Sequence, residues 1–150
     1  MWEIVANIKI STKHKILFIV LVILVFFALE FVKEIIEDRQ KMTYEFLVKF
    51  ADENNNNLPM VINSDLRFDS TMALKWNKFA FYYSIYTHSL EDFDIKDFEE
   101  NLKPFLLSSA KKIVEENVFF KDLKINMVYI FRDKNGNEIK NIEISYKDYE

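Results

Sequence analysis

From Ile16 to Leu29 the chain reads ILFIVLVILVFFAL, fourteen side chains in a row without a polar atom. Glu30 interrupts the run, and Phe31 and Val32 carry it to seventeen positions. A bilayer-spanning helix needs about 20 residues, with about 17–25 workable, so the segment is short but sufficient. Lys13 and Lys15 before it and Lys33 after it can snorkel to the membrane surfaces on their long stems. A buried core helix would need apolar partners on every side, more than a domain of about 100 residues supplies. Cleavage as a signal peptide needs small residues at the last and third-last positions, and the candidate end Phe26-Phe27-Ala28 has a phenylalanine there. Residues 16–33 are therefore read as an uncleaved transmembrane helix and residues 1–15 as a short cytoplasmic tail. Lys9, Lys13 and Lys15 crowd the N-terminal flank more tightly than Lys33, Arg39 and Lys41 crowd the other. The positive-inside rule then places the rest of the chain outside the cytoplasm.

Beyond the run the apolar pattern becomes one-sided. Val32, Ile36, Thr43, Phe46 and Phe50 recur at helical steps, with Arg39 breaking the stripe. Residues 34–54 are read as an amphipathic stalk helix whose greasy face packs on the following domain. A parallel coiled coil, and with it a homodimer through the stalk, is the second reading, on fewer than three clean heptads. Asp52-Glu53 and four asparagines then favour a turn.

From residue 58 onward the period is two. Leu66 to Trp76 alternates as one long strand, Asn77-Lys78 supplies a turn, and a second strand runs from Phe79 to about His88. Asp94 reads as a helix cap. The stripe Ile95, Phe98, Leu102, Phe105, Leu106, Ile113, Val114 reads as a helix face that Pro104 should kink or split. Two further strands, about Lys124–Arg132 and Glu138–Tyr146, flank Asn135-Gly136, a strong hairpin signal. The expectation for residues 58–150 is an α+β domain, a four- or five-stranded antiparallel sheet with a Pro-kinked helix across one face.

Composition narrows the chemistry. The chain has no cysteine, two histidines (His14 and His88) and one glycine (Gly136). Thiol chemistry, disulfides, cysteine-ligated metals, multi-histidine metal sites and glycine-rich phosphate loops are excluded, and no cofactor is expected. Residues 1–33 carry four basic and two acidic groups, whereas residues 34–150 carry 16 and 22. An acidic domain without a basic stripe does not suit nucleic acid. The carboxylates from Glu91 to Glu100 and at Glu115-Glu116 fall on loops and the polar side of a helix, where they are solvated. His88 sits at a strand end as a surface residue.

One polar group stands out. Arg67, Asp69 and Thr71 are two apart on one strand, hence on one face, and pairing with the next strand would frame them with Tyr82 and Tyr86. A plain ion pair on the wet side of the sheet is one reading and a recognition patch the other. At these residues the chain resembles a group of small, membrane-anchored bacterial envelope proteins. The shared features are LPMV at 58–61, then Asp65, Arg67, Asp69, Ser70 and Thr71. The tyrosine strand (Tyr82, Tyr83), Leu102-Lys103-Pro104, Tyr129 and Asp133 to Gly136 extend the match over roughly residues 57–149. That group often carries two cysteines; the corresponding places here hold Lys111 and Tyr149. The resemblance implies an envelope location and brings no reaction with it.

The sequence reading is thus a single-pass protein of the bacterial inner membrane. Its external domain acts as a non-catalytic accessory factor that binds another protein, with Arg67, Asp69, Thr71, Tyr82 and Tyr86 as candidate binding residues. A small-ligand sensor, or a tethered enzyme using Asp65, Arg67 and Asp69, are the alternatives.

Overall fold

The computed structural model describes residues 12–149. A single helix, α1 (Thr12–Asn55), is followed by β1 (Met60–Val61), β2 (Leu66–Leu74), β3 (Lys78–Ile85), α2 (Ile95–Glu116), the one-turn α3 (Phe119–Asp122), β4 (Asn126–Arg132) and β5 (Glu138–Ile144). The chain divides into two compact units, one ending at Arg39 and the other starting at Gln40.

In the first unit the described residues belong to α1, and from Ile16 to Arg39 their side chains are exposed. Phe18, Leu21, Leu24 and Phe27 are each more than half exposed, and the helix is long and apolar enough to cross a bilayer.

The second unit is α+β. Its five strands form one open sheet in the order β1-β2-β3-β4-β5. The fold class is as expected, with one difference in pairing: β3 and β4 run parallel, and the other neighbours antiparallel. A parallel pair needs a crossover connection, and α2 and α3 supply it by returning the chain to the end of the sheet where β3 began. The sheet is therefore mixed. Pro104 does not split α2, which runs through it as one element. Asp94 caps that helix, its Oδ1 accepting from Lys96 N at 3.0 Å and Asp97 N at 3.1 Å.

One sheet face carries the core. Phe79 and Phe81 of β3, Met127, Tyr129 and Phe131 of β4, and Ile142 and Ile144 of β5 point into it. Leu106, Ala110 and Val114 of α2 cover one side, and Thr43, Leu47 and Ala51 of α1, at steps of four, cover the other. Phe50 of α1 meets Phe79, Phe119 and Phe120 at ring separations of 5.0–5.5 Å. Burial pushes the Tyr83 hydroxyl up to about 12 and Tyr129 higher still, so both phenols stay protonated. An ion pair from Lys140 of β5 to Glu99 of α2 (2.7 Å) ties helix to sheet and holds the Glu99 carboxyl below its ordinary range.

The β2–β3 turn falls one residue earlier than the pattern indicates. Trp76 and Asn77 take left-handed φ values of 64° and 54°, and β2 ends at Leu74.

Candidate functional site

The candidate residues lie on and around β2, and a β-bulge decides where each of them goes. The pairing runs Phe68↔Tyr83 and then Ser70↔Tyr82, so Asp69 is an extra residue in β2. Before the bulge, Leu66 and Phe68 face the core; after it, Thr71 and Ala73 do. One inserted residue moves every later side chain to the opposite face.

Thr71 therefore leaves the expected group. It is 4% exposed, under α1, with Oγ1 donating to Asn55 Oδ1 (3.1 Å) or Ala51 O (3.3 Å). Asn55 also accepts from Thr71 N (2.7 Å) and donates to Thr71 O (2.9 Å). Strand β1 pairs β2 only at Phe68 and Arg67, so the Asn55 amide takes the place of a strand neighbour further along that edge. Thr71 is a structural residue and not part of the outward patch.

Arg67, Asp69 and Tyr86 do come together. Arg67 Nε donates to Asp69 Oδ1, and its guanidinium lies 5.2 Å from the Tyr86 ring centre. Asp69 also accepts from Ser84 Oγ at 2.5 Å. The bond to Asp69 raises the Arg67 pKa above its ordinary value, so the side chain is cationic at every relevant pH. With Asp69 engaged by both Arg67 and Ser84, the charge is compensated within the patch. That arrangement orients a planar, half-exposed cation–aromatic pair for contact and does not leave a bare carboxylate to act as a base. Asp65 sits apart on the exposed turn before β2, its carbonyl accepting from Tyr86 N at 2.9 Å.

Tyr82 lies on the same outward face with a different partner. Arg132 of β4 stacks 5.1 Å from its ring centre, and the ring packs beside Leu74 against the small cluster Ala80, Val128 and Ile130. Met72, half exposed, lies 3.9 Å from the Tyr82 hydroxyl. Among the described residues of the second unit, no helix packs on this face of the sheet. It presents two Arg–Tyr pairs at one end and a low apolar floor between them and the β2–β3 turn. Ser84 and Arg132 belong to it and were not singled out from the sequence. The alternation Tyr82, Ser84, Tyr86 was a signal for the first; Arg132 needed the β3–β4 register.

Among the described residues no group of three or more His, Asp or Glu is placed to hold a metal. His88 is exposed, with Nδ1 2.7 Å from Thr87 Oγ1.

No protein-family model and no curated protein matches the sequence. Solved structures do share the fold. A candidate secreted protein of Pseudomonas aeruginosa superposes with a TM-score of 0.56 at 16% identity, over 75% of this chain and 96% of its own. The type 2 secretion-system pilotin EpsS of Vibrio vulnificus gives 0.52 at 14%, over 76% and 97%. The type II secretion-system pilotin AspS of Vibrio cholerae gives 0.52 at 12%, over 75% and 97%. The chain is thus an α+β protein of pilotin-like fold.

Proposed function

We propose that this protein is a membrane-anchored accessory factor of the bacterial envelope, without catalytic activity, whose α+β domain binds another protein outside the cytoplasm. The observation that carries the reading is the outward sheet face, with two Arg–Tyr pairs around an uncovered apolar floor. Arginine and tyrosine are the side chains over-represented where protein partners bind tightly. The fold supports the same direction, because two of the similar structures are secretion-system pilotins and a third is a candidate secreted protein. The apolar helix, exposed along its described length, supports anchoring, and the lysines crowding its N-terminal flank favour residues 16–33 in the inner membrane with the N-terminus in the cytoplasm.

The test is protease treatment of intact spheroplasts carrying the C-terminally tagged chain, followed by tag capture from solubilised membranes. Digestion from outside is expected. A co-purifying protein should be retained by the wild type and lost on combined Arg67→Ala and Tyr82→Ala substitution, with the melting temperature kept. A domain digested only after lysis sinks the external location. A partner indifferent to both substitutions removes this face as its site.

A further inference from the structure

We propose that Asn135 is a site of spontaneous covalent modification, losing its side-chain ammonia through a cyclic imide and returning largely as isoaspartate. The chain has one glycine, and Asn135 precedes it. Deamidation begins when the main-chain nitrogen of the following residue attacks the asparagine Cγ, and a side chain on that residue crowds the approach. Gly136 has none, and a Cβ placed there would meet nothing within 4 Å, so no neighbour crowds it either. Its φ of 83° suits glycine and disfavours larger residues. Residues 134–138 are all exposed, which admits the water and hydroxide that the reaction uses.

Other asparagines are better held. Asn63, followed by Ser64, has its Oδ1 engaged by the N–H groups of Asp65 and Leu66, both at 2.9 Å. Asn54, Asn77 and Asn117 donate their amides to main-chain carbonyls at 2.7–3.1 Å, and Asn55 grips Thr71. Among the described residues the Asn135 side chain makes no hydrogen bond, so its Cγ is at liberty to turn toward Gly136 N. What restrains the site is the turn itself. Gly136 N donates to Asp133 O at 3.0 Å, and that bond opens before attack. In an exposed turn such opening is a low-energy local fluctuation.

The step needs no oxidant and no cofactor. Gly136 N gives up its proton and bonds to Asn135 Cγ; the amide nitrogen leaves with a proton as ammonia, and a succinimide remains. Water then breaks one of the two imide C–N bonds. Opening at Cγ gives aspartate; opening at the main-chain carbonyl gives isoaspartate, whose main chain runs through Cβ and Cγ and is one atom longer. The extra atom falls between Asn135 N and Asn137 N, which share Asp133 Oδ1 at 2.9 and 2.7 Å. Asp133 Oδ2 also accepts from Leu90 N at 3.0 Å, and Lys134 N donates to His88 O at 3.1 Å. Rerouting the chain therefore loosens the tie between the β4–β5 turn and the segment leading into α2. Asn135 is thus a slow chemical switch on the stability of the domain.

For the test, the full chain in detergent is aged in warm, mildly alkaline buffer, since base removes the Gly136 proton. Proteolytic fragments are mapped by mass, and isoaspartate is counted with an isoaspartyl methyltransferase and a radiolabelled methyl donor. The fragment holding Asn135 should convert first, with isoaspartate exceeding aspartate. The aged protein should melt about 5 °C lower, the shift expected for losing about one such hydrogen bond in a domain of this size. Asn135→Gln, whose longer side chain closes its ring far more slowly, should keep its melt when aged alike. Freshly made Asn135→Asp adds the charge without rerouting the chain and should lose clearly less. Earlier conversion of Asn63, or of any other asparagine, overturns the site, because the bond to Asp133 O then shields Gly136 N. Conversion at Asn135 with an unchanged melt overturns the switch, as does an equal loss in aged Asn135→Gln. An equal loss in fresh Asn135→Asp assigns the effect to charge and overturns the rerouting.

Discussion

At the scale of single residues, two polar groups hold the domain more than their chemistry advertises. Asp133 is 2% exposed and accepts from the backbone N–H of Leu90 (3.0 Å), Asn135 (2.9 Å) and Asn137 (2.7 Å) and from Asn137 Nδ2 (3.0 Å). Burial works against its ionised form, but the donors from Asn137, Leu90 and Asn135 outweigh it and hold the carboxyl below its ordinary range. A carboxyl lowered in the folded state contributes stability above the unfolded value, about 3.9, and loses it as pH falls further. Thermal melts of the wild type should therefore drop on acidification below about pH 4, and Asp133→Asn should be less stable at neutral pH with a flatter acid limb. Asn55 is the second case. Asn55→Ala leaves the N–H and C=O of Thr71 unpaired at the sheet edge and should cost about 2–3 kcal/mol by urea denaturation. If stability is unchanged, water replaces the amide there and the edge is not closed by Asn55.

Among the elements, β2 and α2 each break a local rule. The extra residue at Asp69 is what lets one strand present Arg67 outward and Thr71 and Ala73 inward. Deleting Asp69 should return Thr71 and Ala73 to the wet side and drive Met72 and Leu74 into the core, with loss of cooperative unfolding in a melt. In α2, Pro104 has no N–H for the carbonyl one turn back and crowds it, yet the helix continues because Leu102, Leu106, Ala110 and Val114 pin it to the sheet. Pro104 is exposed, so Pro104→Ala should stabilise the domain by about 1–3 kcal/mol. No gain, or a loss, would mean that the local backbone is shaped around the proline.

For the molecule as a whole, the boundary that matters lies inside α1. Residues 40–55 contribute Thr43, Leu47, Phe50 and Ala51 to the core, while the helix before Gln40 belongs to the other unit. A chain starting at Gln40 should be soluble and melt cooperatively. One starting at Leu58 loses a buried leucine and the Phe50 cluster, and with them more than about 5 kcal/mol, enough to unfold a typical domain. Circular dichroism melts of the two separate these outcomes, and cooperative folding of the shorter chain would make the helix dispensable.

Much of this architecture was legible in residue order. The apolar run, the Asp94 cap, the asparagine break after α1 and the Asn135-Gly136 turn are local, because period, capping and turn chemistry act over a few residues. The joining of Arg67 to Asp69 and the outward direction of Tyr82 and Tyr86 followed from alternation alone. Three features did not. An inserted residue at Asp69 looks like any other in an alternating strand, so Thr71 was assigned to the wrong face. The parallel β3–β4 pairing depends on where α2 and α3 return the chain, a long-range matter of packing. Likewise only the β3–β4 register, which sets Tyr82 opposite Ile130 and Ser84 opposite Arg132, brings Arg132 to Tyr82. Sequence determined what each segment is, through interactions between near neighbours; tertiary structure decided which segments meet, because register and crossover are chosen by burial summed over the whole sheet.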